Sequence, residues 1–178
     1  MNKLKPKSTL KLIFQWIICF VFLTGCREET ANVADTKKQI SNLLDSFNIA
    51  AANADFNKYF NYFADDAVFI GTDATENWDK KSFMIWAKPH FDDKKTWNFK
   101  SLERNIYLDK SGRLAWFDEI LNTQMKICRG SGVLEENGGG WKIKQYVLSI
   151  TIPNNKVDSI VKIKSLIENE IISKYSSK

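Results

Sequence analysis

RGSGVLEENGGGWKIKQYVLSITIPN, residues Arg129 to Asn154, decides how the chain folds. Two runs rich in β-branched and aromatic residues flank Glu136-Asn137-Gly138-Gly139-Gly140. Asn and Gly tolerate the positive φ that a tight turn demands, so the stretch reads as a β-hairpin. Its second arm is apolar on both parities, with Trp141, Ile143 and Val147 on one and Tyr146, Leu148, Ile150 and Ile152 on the other. A strand with that pattern is expected to be covered on both sides, by helices, a partner subunit or both. The first arm is Cys128 to Glu136, and upstream lie two further runs with strand character, Trp97 to Leu108 and Leu114 to Gln124. Asp109-Lys110-Ser111-Gly112 supplies the turn between these two, and Pro153-Asn154 closes the sheet.

Before the strands come helices. Thr36 with Gln39 forms a capping box, and Ile40, Leu43, Leu44, Phe47 and Ala51 recur at helical spacing, so the pattern predicts an amphipathic helix from Thr36 to Asn53. Asp55 can cap a second, shorter helix with Phe56, Tyr59, Phe60 and Phe63 as its inward stripe. FADDAVFIG, Phe63 to Gly71, then reads as a short strand. A third helix starts near Asp79, is expected to bury Phe83, Trp86 and Ala87, and should stop soon after at Pro89. After the sheet, Val157, Ile160, Ile163, Ile167 and Ile171 mark a C-terminal amphipathic helix within residues 155–178. Its stripe is expected to cover the core; binding a partner is the other use. Helices followed by a run of antiparallel strands is an α+β order, with the helices on one face of a curved sheet.

The first residues read as an address. Lys3, Lys5, Lys7 and Lys11 form a basic region ahead of LIFQWIICFVFL, Leu12 to Leu23, which is shorter than the roughly 20 residues that span a bilayer. Residues 1–25 are therefore expected to be a signal peptide. Its end, Leu23-Thr24-Gly25-Cys26, resembles the lipobox of bacterial lipoproteins, which implies lipid attachment at Cys26 and a chain tethered to a membrane without crossing it. An ordinary secretory signal with an incidental cysteine is the alternative. By the same resemblance Arg27, where an aspartate would favour the inner membrane, points to the outer membrane of the cell envelope, on its periplasmic or surface face. Residues 26–35 lack apolar periodicity and are expected to be a flexible tether.

Removing residues 1–25 changes the bulk charge. The whole chain has 26 basic and 21 acidic residues and a net charge of +5; four lysines lie in the signal, leaving about +1. No basic stripe remains beyond pairs such as Lys80-Lys81 and Lys94-Lys95, so nucleic-acid binding has no electrostatic footprint. Of three cysteines, Cys19 leaves with the signal and Cys26 is the lipid site, so Cys128 has no intrachain partner. His90 is the one histidine, which excludes a His-rich zinc site and leaves any Ser/His/Asp or Cys/His set to be built on His90. No cofactor is implied.

FADDAVFIG, GTDATENW, a helix bearing Trp and Phe, AWFDE, RGSGVL and GGWKIKQYVLS, ending at Pro153-Asn154, together resemble the SnoaL-like branch of the nuclear transport factor two-like superfamily. The resemblance spans about Gln39 to Asn154 and places one domain at residues 36–154. It implies a cone-shaped α+β roll enclosing an apolar cavity between helices and sheet, often a homodimer through the outer sheet face. It implies no single activity, since the fold serves isomerases, cyclases, dehydratases, binding modules and assembly domains. The isomerase pattern of this fold wants a carboxylate base where Gly71 stands, a tyrosine where Phe47 stands and a protonated aspartate where Gly130 stands. Proton abstraction needs both base and donors, so that chemistry is not expected.

The candidate pocket residues are Trp78, Trp86, His90, Trp116, Asp118, Arg129 and Tyr146, with Glu76 and Glu119 behind them. Core filling is the ordinary reading of each tryptophan, and an exposed or helix-capping role that of His90. Asp118 shares a parity with Leu114, Trp116 and Ile120; it either points inward with Arg129 as partner, or faces solvent in an ordinary surface contact. Two functions are compatible with this set. One is a membrane-anchored module that binds a small apolar ligand or self-associates; the other is a small-molecule lyase or isomerase using Asp118 or His90 as acid–base.

Overall fold

A computed structural model describes residues 32–177. The basic N-terminal region, the Leu12 to Leu23 run and Cys26 lie outside the described residues. The fold is α+β. Helix α1 occupies 32–52 and is followed by α2 (Phe56–Asn61), β1 (Phe63–Ile70), β2 (Asn77–Asp79) and α3 (Lys80–Asp92). Strands β3 (Lys100–Leu108), β4 (Leu114–Thr123), β5 (Lys126–Glu136) and β6 (Trp141–Ile150) come next, then α4 (Val157–Ser176). One sheet runs in the order β2-β1-β6-β5-β4-β3. Its pairings are antiparallel except β1 with β6, which is parallel. The core lies between α1 to α3 and one sheet face, where Ile40, Leu44, Phe47, Phe83 and Phe91 meet Phe117, Leu121, Leu134 and Ile143.

Strand β6 carries apolar residues on both parities because it contains a bulge. Val133 pairs with Gln145 while Leu134 pairs with Ile143, so Lys144 is an extra residue on the β6 side. A bulge inverts the alternation beyond it. Ile143, Tyr146 and Leu148 therefore all point into the core, and Ile150 at the strand end stays exposed. The sequence alternation, read without the bulge, assigned Ile143 and Tyr146 to opposite faces.

Two helix boundaries also differ from the sequence reading. Thr36 is inside α1, not at its cap, and its hydroxyl donates to Asn32 Oδ1 at 3.4 Å, so residues 32–35 are helix and not tether. Once a helix is nucleated, adding residues at its end is cheap, and a capping motif within the run does not stop it. Helix α3 starts as expected, with the Ser82 N–H donating to Asp79 Oδ1 at 2.7 Å, but it continues through Pro89 to Asp92 and buries Phe83, Ala87 and Phe91. The missing N–H of Pro89 deprives only the carbonyl of Ile85, an exposed position, so the last turn persists. Trp86, expected inside, is 41% exposed.

Helix α4 forms over the expected residues, yet none of them is buried. Val161, Ile163, Leu166, Ile167 and Ile172 are exposed, so this helix does not cover the core. No helix among the described residues is long and apolar enough to cross a membrane.

Candidate functional site

The open end of the roll carries a cleft of about 170 Å³. Strand β1 contributes Phe69, the β1–β2 turn Gly71 and Glu76, and β2 Trp78. Helix α3 adds Phe83 and Trp86, the segment before β3 adds Trp97 and Phe99, and Gln124, Met125 and Leu148 close the far side. The rings share an orientation: Trp78 and Phe83 are 5.6 Å apart at 8°, Trp78 and Trp86 4.9 Å at 27°, and Trp86 and Trp97 6.3 Å at 29°. Spacing of four along α3 puts Phe83 and Ala87 in the core, which leaves Trp86 on the rim.

Polar groups are few in this cleft, and Glu76 is its one ionisable lining residue among the described residues. The Gly71 N–H donates to the Glu76 carbonyl at 3.0 Å, closing the β1–β2 turn. The Glu76 side chain folds back over Gly71, where Oε2 accepts the Asp73 N–H at 3.2 Å. A Cβ at residue 71 would lie 2.1 Å from that oxygen, so glycine here makes room for the carboxylate.

Beneath the cleft the ring of Phe69 stacks on Tyr146 at 5.7 Å and 4°. The Tyr146 hydroxyl donates to Glu119 Oε1 at 3.3 Å, and Arg104 holds the other oxygen with Nε at 2.9 Å and Nη2 at 2.8 Å. Arg104 Nη1 reaches α1, donating to the Ser41 carbonyl and hydroxyl and to Asp45 Oδ1. Glu119 is 1% exposed, and this ion pair is what permits a carboxylate at that depth. Burial first, and then the Glu119 charge, push the Tyr146 phenol well above its ordinary value of 10.0. Neither Glu119 nor Tyr146 lines the cleft; their network joins α1 to β3, β4 and β6 behind it.

The model of the SnoaL-like domain family matches residues 40–153, from α1 to the end of the sheet. The chain belongs to the SnoaL-like domain family. Solved structures similar to it include an NTF2-like protein of unknown function from Pseudomonas putida KT2440, 14% identical with a TM-score of 0.59, covering 68% of this chain and 90% of that one. A cystatin-like-fold protein from Caulobacter vibrioides is 10% identical with a TM-score of 0.58, covering 73% and 99%. A dehydratase candidate of the NTF2-like family from Streptomyces avermitilis is 13% identical with a TM-score of 0.58, covering 67% and 99%. Identities this low speak to the fold alone. No curated protein matches the chain.

Within this SnoaL-like domain the seven candidate residues do not converge. Trp78 and Trp86 line the cleft, and the exposed His90 ring lies 4.8 Å from Trp86 without lining it. Tyr146 is buried below. Trp116, Asp118 and Arg129 lie on the outer sheet face, because the buried parity of β4 is Ala115, Phe117, Glu119 and Leu121. Asp118 is thus not the inward carboxylate: it sits opposite Ser131 and accepts from Asn105 Nδ2 at 3.2 Å. Arg129 is opposite Ile120 and forms no bridge to Asp118. Trp116 stacks on Tyr107 at 5.7 Å. The inward pair is Glu119 with Arg104. Sequence reading missed Trp97, Phe99, Gln124 and Met125 as lining residues; the aromatic spacing of Trp97 and Phe99 in a stretch without regular structure was the available signal.

Proposed function

We propose that this SnoaL-like protein is a lipid-anchored binding module of the cell envelope whose aromatic cleft takes a small, ring-sized apolar ligand. The cleft carries the reading: three tryptophans and three phenylalanines surround about 170 Å³, with few polar groups. Drug-sized ligands occupy roughly 300–1,000 Å³, whereas an apolar cavity of about 150 Å³ holds benzene. The volume therefore supports a single ring or a group of similar size. Anchoring at Cys26 is supported by the basic region, the short apolar run and the Leu23-Thr24-Gly25-Cys26 ending, and outer-membrane placement by Arg27. Homodimerisation through the outer sheet face is supported by the exposed side chains of Tyr107, Leu114, Trp116 and Ile127 there.

Glu76 favours a second reading, a lyase or isomerase in which a cleft carboxylate moves a proton. It would replace Asp118, which faces outward, and His90, which stands off the cleft, as the acid–base group. The dehydratase candidate from Streptomyces avermitilis has a similar fold, which supports this reading.

Native mass spectrometry of the full chain, purified from its host and sprayed intact and denatured, tests the binding reading. A small molecule released on unfolding, and lost in Trp86→Ala, is the expected result. A full chain that carries no small molecule and takes up none from a panel of single-ring compounds overturns it. Mass analysis of the N-terminal peptide tests the anchor: acyl chains on Cys26 are expected, and an unmodified Cys26 in the mature envelope protein sinks that part.

A further inference from the structure

The cleft has a feature that an apolar ligand alone does not use. Glu76 places a carboxylate against the aromatic wall, and no Lys, Arg or His among the described residues lines the cleft beside it. Among the described residues no cation pairs with it, Oε2 accepts one hydrogen bond, and Oε1 accepts none. A carboxylate offers about four lone-pair sites, so most of its accepting capacity has no donor among the described residues. Keeping it there requires glycine at 71, since a Cβ would stand 2.1 Å from Oε2.

The rings add a shape and a sign. Phe69, Trp78, Phe83, Trp86 and Trp97 are within 29° of parallel in each contacting pair. Near-parallel rings continue as a stack onto a flat guest and grip a tetrahedral one less well. Their π faces are electronegative, so they attract a cation and repel an anion. A neutral ring would desolvate the carboxylate without satisfying it.

Resting on the reading of the cleft as a site for a ring-sized ligand, and putting a charged ring in place of a wholly apolar one, we propose that its ligand is a flat organic cation, an amidinium or guanidinium borne on or beside a single ring. The planar N–H groups pair with Glu76 while the ring stacks on Trp78, Trp86 or Trp97.

Benzamidine and benzamide separate this from the broader reading, because they share size and flatness and differ in charge. Each is titrated calorimetrically into the full chain in maltoside micelles. Benzamidine should bind about tenfold more tightly than benzamide, as expected for a charge-assisted pair. Glu76→Gln should erase that preference and leave benzamide unchanged, and Trp86→Ala should weaken both. Tetramethylammonium, charged but not flat, should bind more weakly than benzamidine. Equal binding of benzamidine and benzamide, or a preference that survives Glu76→Gln, overturns the cation and leaves an apolar cleft standing. Tetramethylammonium binding as tightly as benzamidine overturns the flat shape. Binding of none of the three at millimolar concentration removes both this inference and the ligand-binding reading.

Discussion

Two glycines in this domain use one device to opposite ends. At Gly71 and at Gly130 the missing Cβ leaves space that a glutamate from a facing position fills, Glu76 across the β1–β2 turn and Glu119 across the β4–β5 ladder. Both are positions where the isomerase pattern that the chain was compared with would carry a carboxyl group. Glu119 is buried, and Arg104 and Tyr146 consume its oxygens, so it is a structural charge. Glu76 is half-buried at the cleft, holds one backbone N–H and remains available. What separates them is depth: at the bottom of the roll a carboxylate must be neutralised to exist at all, while at the rim water can share the cost.

The sharpest way to break the comparison is to remove the deep charge. Glu119→Gln leaves Arg104 with only the exposed Asp45 carboxylate as counter-ion and should lower stability by about 3 kcal/mol, the scale for breaking a buried pair; urea denaturation reads it. A loss no larger than that of a surface substitution would mean that Glu119 is not neutralised in the way described. Next come the glycines themselves. Gly130→Ala puts a Cβ 2.7 Å from the Tyr146 hydroxyl and 3.0 Å from Glu119 Oε1, among groups that cannot move, and should cost roughly 1–3 kcal/mol. Gly71→Ala meets the Glu76 carboxylate, which can swing out, and the Glu76 Cβ at 3.0 Å, which must give by a little, so stability should fall by about 1 kcal/mol while the preference for benzamidine over benzamide disappears.

Titration sharpens the same contrast between buried and surface groups. Tyr59 and Tyr146 are buried, and desolvation raises both phenols well above 10.0. A raised folded-state value means stability that is complete below the unfolded value and is lost as pH climbs above about 10, when only the unfolded chain ionises freely. Asp109 is the surface counterpart, held at about 2 chiefly by the Ser111 hydroxyl and by the backbone N–H groups of Leu114, Ser111 and Arg113. Its lowered value contributes stability that is present above the ordinary 3.8 and is lost as pH falls towards 2. Denaturation midpoints across pH should therefore fall at both extremes, with Asp109→Asn easing the acid limb, to which Asp66, Asp73 and Asp79 also contribute, and leaving the alkaline limb unchanged. The smallest effect belongs to α4: ending the chain at Lys156 removes no buried residue and should shift stability by less than about 1 kcal/mol.

Much of the fold was legible because it rests on short-range chemistry. The 136–140 turn, with Gly138 and Gly140 at positive φ, the Asp55 and Asp79 caps and the Asp109 turn all appear where their residues predicted them. The bulge at Lys144 was not legible, since a single unpaired residue is decided by the register of both neighbouring strands. That one residue also misleads any parity argument along β6. On β4 the pattern left both faces open: Asp118 shared a parity with Leu114 and Trp116, and only the sheet's packing against α1 shows that Ala115, Phe117 and Glu119 face inward. Two large apolar residues stood against one glutamate in the pattern, and the glutamate was the buried one because Arg104 waited for it. The cleft was legible only in part. Trp78 and Trp86 were named, but the pairing of Glu76 with the space above Gly71 depends on a turn bringing residues five apart face to face.

By itself the sequence determined the helices, the strands and their turns, because caps, glycines and apolar spacing act within a few residues and owe little to the rest of the chain. The tertiary structure alone decided which carboxylate is buried and which is open, which tryptophans meet at one cleft, and that α4 leaves the core uncovered. Those outcomes depend on contacts between residues far apart in the chain, where the energy of a charge or a ring is set by what surrounds it.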